Sequence, residues 1–287
     1  LIKGPYKSRS LASIVSEVRN LAALGIKEIN LVSQDSTYFG REHGLKTGLV
    51  RLLDQLMAVK GIKWIRWLYG YPEEITDDLL EIMNEEKICP YFDLPFQHAS
   101  ATVVKKMGRS ITAGDALRLI EKIRNRVKGA VIRTSLIVGF PGEGLKEFSE
   151  LKQFVREARF EHLGVFTYSP EPGTKAFYLE ETVCPAEKEA RRQELMAIQK
   201  EISRNFYRTF KGQTLEVLLE DQEEEQAEKG VLYGRARFQA PEVDGQVIVK
   251  DKKRLLAAGK KPDFMLVKIS GTRTYDLVGE ALDVEVI

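Results

Sequence analysis

Five stretches of this 287-residue chain share one pattern: an apolar, β-rich run breaks off into polar residues, glycine and proline. They are Val32-Ser33-Gln34-Asp35-Ser36, Leu68-Tyr69-Gly70-Tyr71-Pro72, Asp93-Leu94-Pro95-Phe96-Gln97-His98-Ala99-Ser100, Arg133 to Glu143, and Thr167 to Thr174. Loops are polar in any case, and Gly139-Phe140-Pro141-Gly142 is an ordinary turn signal. Five such ends together read better as the mouth of an active site, because βα barrels and open α/β sheets bind ligands at the C-terminal ends of their strands. The chemistry is not that of a Ser/His/Asp triad: the three histidines are His43, His98 and His162, and none adjoins a nucleophile signature. His98 alone stands at a strand end, where substrate contact and a hydrogen-bonded structural role both fit it. Metal-ligand spacing is absent. Cys89 and Cys184 lie far apart, each before a proline, and each reads as a small buried hydrophobe; no metal-ligating residue is assigned.

The elements that must position these ends follow from apolar periodicity. Leu11, Ile14, Val15, Val18, Leu21 and Leu24 form one helical stripe, opened by Ser10 and closed by Gly25. Glu28 to Val32 reads as a strand, Leu49 to Leu56 as a helix, Trp64 to Tyr69 as a strand. Thr76 caps a helix with Leu79, Leu80 and Met83, and Tyr91 to Leu94 is the next strand. Thr112 and Asp115 open a further helix, followed by strand Val131–Val138, helix Phe148–Phe154 and strand Leu163–Thr167. Alternating strands and helices predict a parallel sheet with right-handed crossovers. Five strands suit an open, partial βα barrel better than a closed eightfold one, which needs about 250 residues; a doubly wound sheet would use the same elements. The chain opens on a helix and on Leu1, so the expectation is a fragment or processed product whose sheet lacks its first strand.

Pro185 to Phe210 reads as a charged helix linking two domains. Beyond Gly212, five short strands separated by turn residues suggest a small antiparallel β-barrel. The fold class expected is therefore α/β: a partial barrel over 1–184, a linker helix over 185–210 and a β-barrel over 211–287. Charged residues make up 30% and hydrophobic residues 43%, enough for a core, and no apolar run reaches the ~20 residues of a membrane-spanning helix. With no secretory signal and two cysteines, the expected compartment is the cytoplasm. The net charge of +2 is uneven: residues 211–287 hold 12 Lys+Arg against 15 Asp+Glu, leaving 32 against 27 in residues 1–210. An acidic tail of this kind favours a cationic partner over RNA, with Glu216, Glu220, Asp221 and Glu223 to Glu225 as its contributors. Lys252, Lys253, Arg254, Lys260 and Lys261 are the tail's basic cluster and read as a solvated hairpin.

Asp93 to Ser100, Val138 to Glu143 and Tyr168-Ser169-Pro170-Glu171-Pro172-Gly173-Thr174 together resemble the radical S-adenosylmethionine methylthiotransferases. Lys3-Gly4-Pro5 to Ser10 resembles the segment after that family's cluster-binding loop. Gly234-Arg235-Ala236 and Tyr275 to Gly279 are similar to its TRAM barrel. The likeness covers essentially the whole chain. Gln97-His98 and Pro170-Glu171-Pro172-Gly173 resemble the branch that modifies a ribosomal protein, since the transfer-RNA branch usually carries Gln-Ser and an arginine there.

The resemblance implies a methylthio group added to the β-carbon of an aspartate in the twelfth protein of the small ribosomal subunit. It implies S-adenosylmethionine and two 4Fe-4S clusters, one cleaving the cofactor to a deoxyadenosyl radical through a three-cysteine loop, the other supplying sulfur, with a sulfur donor system as a further partner. Two distant cysteines do not make a three-thiolate clamp, so this chain is expected to lack the cluster loop and the N-terminal domain and to be inactive alone. Carried onto this sequence, Gln34, Gln97, Arg133, Thr134 and Ser135 would contact the cofactor: amides, hydroxyls and a guanidinium suit a zwitterionic methionine and a ribose. Asp93, His98, Tyr168 and Glu171 would position the substrate, and no catalytic residue is assigned. The rivals are a transfer-RNA methylthiotransferase and a non-catalytic binding scaffold.

Overall fold

Ser10 begins the first helix as its side chain accepts the Ser13 amide at 3.2 Å, and Gly25, at φ +93°, ends it in the left-handed conformation. That helix, α1 (Leu11–Ala23), buries Val15 and Val18. The structure is a computed structural model that describes residues 4, 6–220, 231–250 and 262–282. It divides into two compact units, Leu1–Met196 and Ala197–Ile287.

In the first unit β1 (Glu28–Leu31), α2 (Gly48–Met57), β2 (Trp64–Trp67), α3 (Asp77–Ile82), β3 (Tyr91–Asp93), α4 (Ala101–Lys106), α5 (Ala113–Arg126), β4 (Val131–Val138), α6 (Leu145–Ala158) and β5 (His162–Thr167) follow α1. The sequence reading finds all of these but α4, a single short helix inside a strand-end loop. Thr76 caps α3 through the Leu79 amide at 3.2 Å, and Thr112 with Asp115 closes a capping box on α5. All strand pairs are parallel: β1 with β2, and β3 with β4 with β5. The two sets join where Ile65 bridges Ile88 and where the Gly70 amide donates to Asp93 O at 2.9 Å. Five strands thus lie side by side in chain order, the arc of an open βα barrel.

Burial along β4 alternates. Ile132, Thr134, Leu136 and Val138 are fully buried, whereas Arg133, Ser135 and Ile137 are half-buried. The fully buried face packs toward the helices, where Phe96 meets Phe154 of α6 and Phe160 at 5.8 Å between ring centres. Trp67 and Phe92 extend this core edge to face at 5.9 Å, and the Trp67 indole N–H donates to Met83 Sδ at 3.0 Å. The period of two along a parallel strand therefore sorts β4 into one face for the helices and one for the concave interior.

The second unit holds β6 (Thr214–Leu219), β7 (Val231–Arg235), β8 (Val247–Lys250), β9 (Phe264–Thr272) and β10 (Leu277–Ala281), closed as a barrel in the order β10-β8-β7-β6-β9. Four pairings are antiparallel and one, β8 with β10, is parallel. A ring of five cannot alternate direction all the way round, so closure itself forces one parallel pair into a barrel otherwise antiparallel as the turn spacing predicts. Val217, Val249, Val267 and Leu277 fill its interior. The helix α7 (Pro185–Arg208) runs through the boundary between the units, and its last turns bring Phe206 and Phe210 onto Phe238, the latter pair stacked at 4.4 Å. Asp221, Glu223 to Glu225, Lys252, Lys253, Arg254, Lys260 and Lys261 lie outside the described residues, as do Lys3 and Pro5. Glu220 forms an ion pair with Arg235.

Candidate active site

The exits of β1, β2 and β3 are stitched to one another and to β4 by polar side chains. After β1, Asp35 accepts the Thr37 and Tyr38 amides, at 2.9 and 3.2 Å, and so shapes a short turn. The next link runs to β2, where Ser36 Oγ donates to Leu68 O at 2.5 Å and the Ser36 amide to Tyr69 O at 2.8 Å. Tyr69, left-handed at φ +58°, donates its own amide to Asp93 Oδ2 at 3.2 Å. Asp93 ends β3 directly opposite Arg133 of β4, and its Oδ1 takes Arg133 Nη1 at 3.0 Å. One buried carboxylate thus ties the ends of β2 and β3 to the first half of β4.

Gln97 and Ser135 complete the group. The Gln97 amide donates to Ser135 O at 3.0 Å, and Gln97 O accepts the Ile137 amide at 2.7 Å. This seats Gln97, at φ +70°, against the end of β4. Arg133, Ser135 and Gln97 are half-buried, so an amide, a hydroxyl and a guanidinium on β4 and the loop beside it are not sealed off. Gln34 is exposed in the β1 loop. Thr134 stands on the other face: its hydroxyl donates to Leu94 O at 2.7 Å and accepts the Phe96 amide at 3.1 Å, fully buried. Neighbours on a strand point to opposite faces, so a run of three polar residues cannot all line one mouth.

His98 is sealed as well. Its Nδ1 accepts the Ser100 amide at 3.0 Å, which leaves the proton on Nε2, aimed at Glu143 Oε2 3.1 Å away. Glu143 Oε2 also accepts the Gly139 amide at 2.9 Å, and Oε1 takes Arg191 Nη1 of α7 at 2.7 Å. Burial works against the charge on Arg191, but its bonds to Glu143 and Glu187 outweigh it and push the guanidinium above its usual range. Glu143 and Arg191 are the residues that sequence reasoning passes over. Glu143 closes the Gly-Phe-Pro-Gly-Glu run and was legible as the only carboxylate there; nothing local marks Arg191 on a charged helix.

Tyr168 follows β5, and its amide donates to Val138 O at 2.8 Å. Its ring meets Phe140 edge to face at 4.9 Å, and its hydroxyl is buried without a hydrogen-bond partner among the described residues. Burial, then Glu181 and Glu171, raise its pKa. Glu171 is exposed. Cys89 is buried before β3 and Cys184 exposed before α7, and among the described residues no three His, Cys, Asp or Glu side chains stand close enough to share a metal ion.

Known proteins are similar to this chain over nearly its whole length. Residues 212–282 match the TRAM domain. A ribosomal protein uS12 methylthiotransferase RimO from Aquifex aeolicus is 48% identical over 286 residues, 98% of this chain and 65% of the relative. A protein of the same name from Caldanaerobacter subterraneus is 44% identical over 97% of this chain and 62% of the relative. The chain thus spans just under two thirds of the length of these relatives. Among solved structures, coproporphyrinogen III oxidase (HemN) from Escherichia coli, described as a Radical SAM enzyme, shares the fold at TM-score 0.55 and 20% identity, over 67% of this chain and 45% of that one. Residues 2–155, which carry β1 to β4 and every exit from Gln34 to Glu143, match the Radical SAM superfamily, and with more than half its length in that match the chain belongs to that superfamily.

Proposed function

We propose that this chain is the core and barrel of a methylthiotransferase that adds a methylthio group to the β-carbon of an aspartate in ribosomal protein uS12. The observation that carries the reading is its extent: relatives bearing that name are similar over 97–98% of the chain, through both units. Membership of the Radical SAM superfamily implies S-adenosylmethionine and a 4Fe-4S cluster. The cluster, when bound, supplies the electron that cleaves the cofactor. Residues 1–287 do not fit it, since two cysteines cannot supply three thiolates. Its ligands, and those of a second, sulfur-supplying cluster served by a sulfur donor, belong to other sequence, and residues 1–287 alone are inactive.

What this chain contributes is binding and orientation. Gln97, Arg133 and Ser135, with Gln34 from the β1 loop, present groups suited to the carboxylate, ammonium and ribose of S-adenosylmethionine. Asp93 holds Arg133 in register, and His98 acts through Glu143 to fix the loop that carries Gln97. Tyr168 and Glu171 would position the protein substrate. The barrel's partner is the ribosomal protein and not RNA, because residues 211–287 carry more acidic than basic residues. The test is to delete the gene and measure the intact mass of uS12 together with the modified nucleosides of transfer RNA. Loss of one methylthio mass from uS12 is expected; an unchanged uS12 with a lost transfer-RNA methylthio group overturns the reading.

A further inference from the structure

The chain between β5 and α7, residues 168–184, contains no strand, only a turn at residues 172–173 and one short 3-10 helix, Lys175–Tyr178. It leaves β5 past Thr167, opposite Val138 at the end of β4 and two residues beyond the Leu136 that Gln97 bridges, and it exposes large apolar side chains among its polar ones. Tyr178 is 81% exposed and Phe177 42%, their rings set edge to face at 5.5 Å. Glu171 and Glu180 of the same segment are exposed, and neither carboxylate meets a side-chain partner among the described residues. Lys175 is the segment's one basic residue. Long segments of this kind on a rigid scaffold are usually functional.

The inner side of this strap already holds a cation. Lys188 Nζ lies 5.1 Å from the centre of the Tyr168 ring, donates to Tyr168 O at 3.1 Å and is ion-paired with Glu181. An aromatic face, a backbone carbonyl and a carboxylate thus capture an ammonium group here. Elsewhere on the strap the Tyr178 and Phe177 rings and the Glu171 and Glu180 carboxylates are exposed groups of the same kinds, and among the described residues no cation lies over either ring. Ring faces attract cations through their quadrupole, and acidic neighbours add Coulomb attraction and exclude anions.

We propose that the strap 169–182 is a docking surface for a cationic peptide segment, whose lysine or arginine side chains lie on Tyr178 and Phe177 and pair with Glu171 and Glu180. It holds that segment at the exits of β4 and β5, where Gln97 meets β4. The proposal rests on the methylthiotransferase reading only for which protein supplies the segment.

The test uses the 287-residue chain and three fluorescent probes of equal length: a Lys/Arg-rich peptide, a Glu-rich peptide and a single-stranded RNA. Variants are Tyr178→Ala, Tyr178→Phe and the pair Glu171→Gln with Glu180→Gln, all at exposed positions. The cationic peptide should bind best, should lose about fivefold in affinity in Tyr178→Ala and in the glutamine pair, and should recover in Tyr178→Phe. Binding should weaken as salt shortens the reach of exposed charges. Absence of cationic-peptide binding, equal binding of the Glu-rich peptide, or variants that bind like the parent chain overturn the proposal. Tighter RNA binding that Tyr178→Ala abolishes overturns it in favour of a nucleic-acid surface. A lost uS12 modification in the gene deletion, beside a strap that binds no peptide, removes this proposal alone.

Discussion

His98 Nε2 and Glu143 Oε2 meet 3.1 Å apart with neither side chain reaching solvent. The pair joins the exit of β3 to the exit of β4, and Arg191 of α7 completes it from the far side of the carboxylate at 2.7 Å. A buried carboxylate with a guanidinium, a ring N–H and a backbone amide around it is well satisfied, and this makes it costly to remove one member.

Glu143→Ala should therefore destabilise the first unit by about 3–5 kcal/mol, because it leaves Arg191 buried without its countercharge. His98→Ala should cost less, about 1–3 kcal/mol, since it frees one lone pair of a carboxylate that keeps two other donors. Urea unfolding followed by tryptophan fluorescence reads this unit, as Trp64 and Trp67 both lie in it. Equal losses in the two variants would show that the charge on Arg191 does not set the energy.

Asp93 and Arg133 should behave as one device. Their side chains are 3% and 13% exposed, and they face each other in the β3–β4 register. In a double-mutant cycle with Asp93→Asn and Arg133→Met the coupling should be about 0.5–3 kcal/mol, whereas pairing either with Tyr207→Phe should be additive. Additivity of the first pair would mean that the ion pair does not hold Arg133 in place.

Gly139→Ala should destabilise by about 1–3 kcal/mol. The residue sits at φ +73°, and an added Cβ would come within 2.3 Å of Lys188 Cγ. Strain and collision act on the residue whose amide donates to Glu143, so the variant should also lower the unfolding midpoint further in a Glu143→Gln background than additivity allows. A neutral substitution would show that the loop relaxes without loss.

Alkaline pH should weaken the barrel unit through Tyr207. Burial, then Asp244, hold its hydroxyl well above the ordinary tyrosine value of 10.0. The folded state keeps this proton while the unfolded chain releases it, so the contribution is intact below pH 10 and declines as pH rises above it. Tyr207→Phe should flatten the fall in stability between pH 9 and about 11, measured by denaturant unfolding in that range. The same slope in both proteins would assign the alkaline loss elsewhere.

The order of elements was legible in the sequence because it is local. Ser10, Thr76 and Thr112 announce helix starts by their side chains, and Val131 to Val138 is apolar and β-branched enough to be a strand in any context. The turn spacing after Gly212 likewise gave five short strands, since each turn depends on a few neighbouring residues. Strand exits, too, could be listed from the sequence, although Arg133 and Ser135 lie within β4 and Gln97 meets that strand through its backbone. Tertiary structure alone decided which face each residue takes and which distant partner it meets. Thr134 turned toward the helices because strand neighbours alternate, and the phase of that alternation is set by the core at Phe96 and Phe154. His98 was ambiguous until folding brought Glu143 and Arg191 to it from 45 and 93 residues away along the chain. The parallel β8–β10 pair came from closing an odd ring, a global condition that no single strand carries.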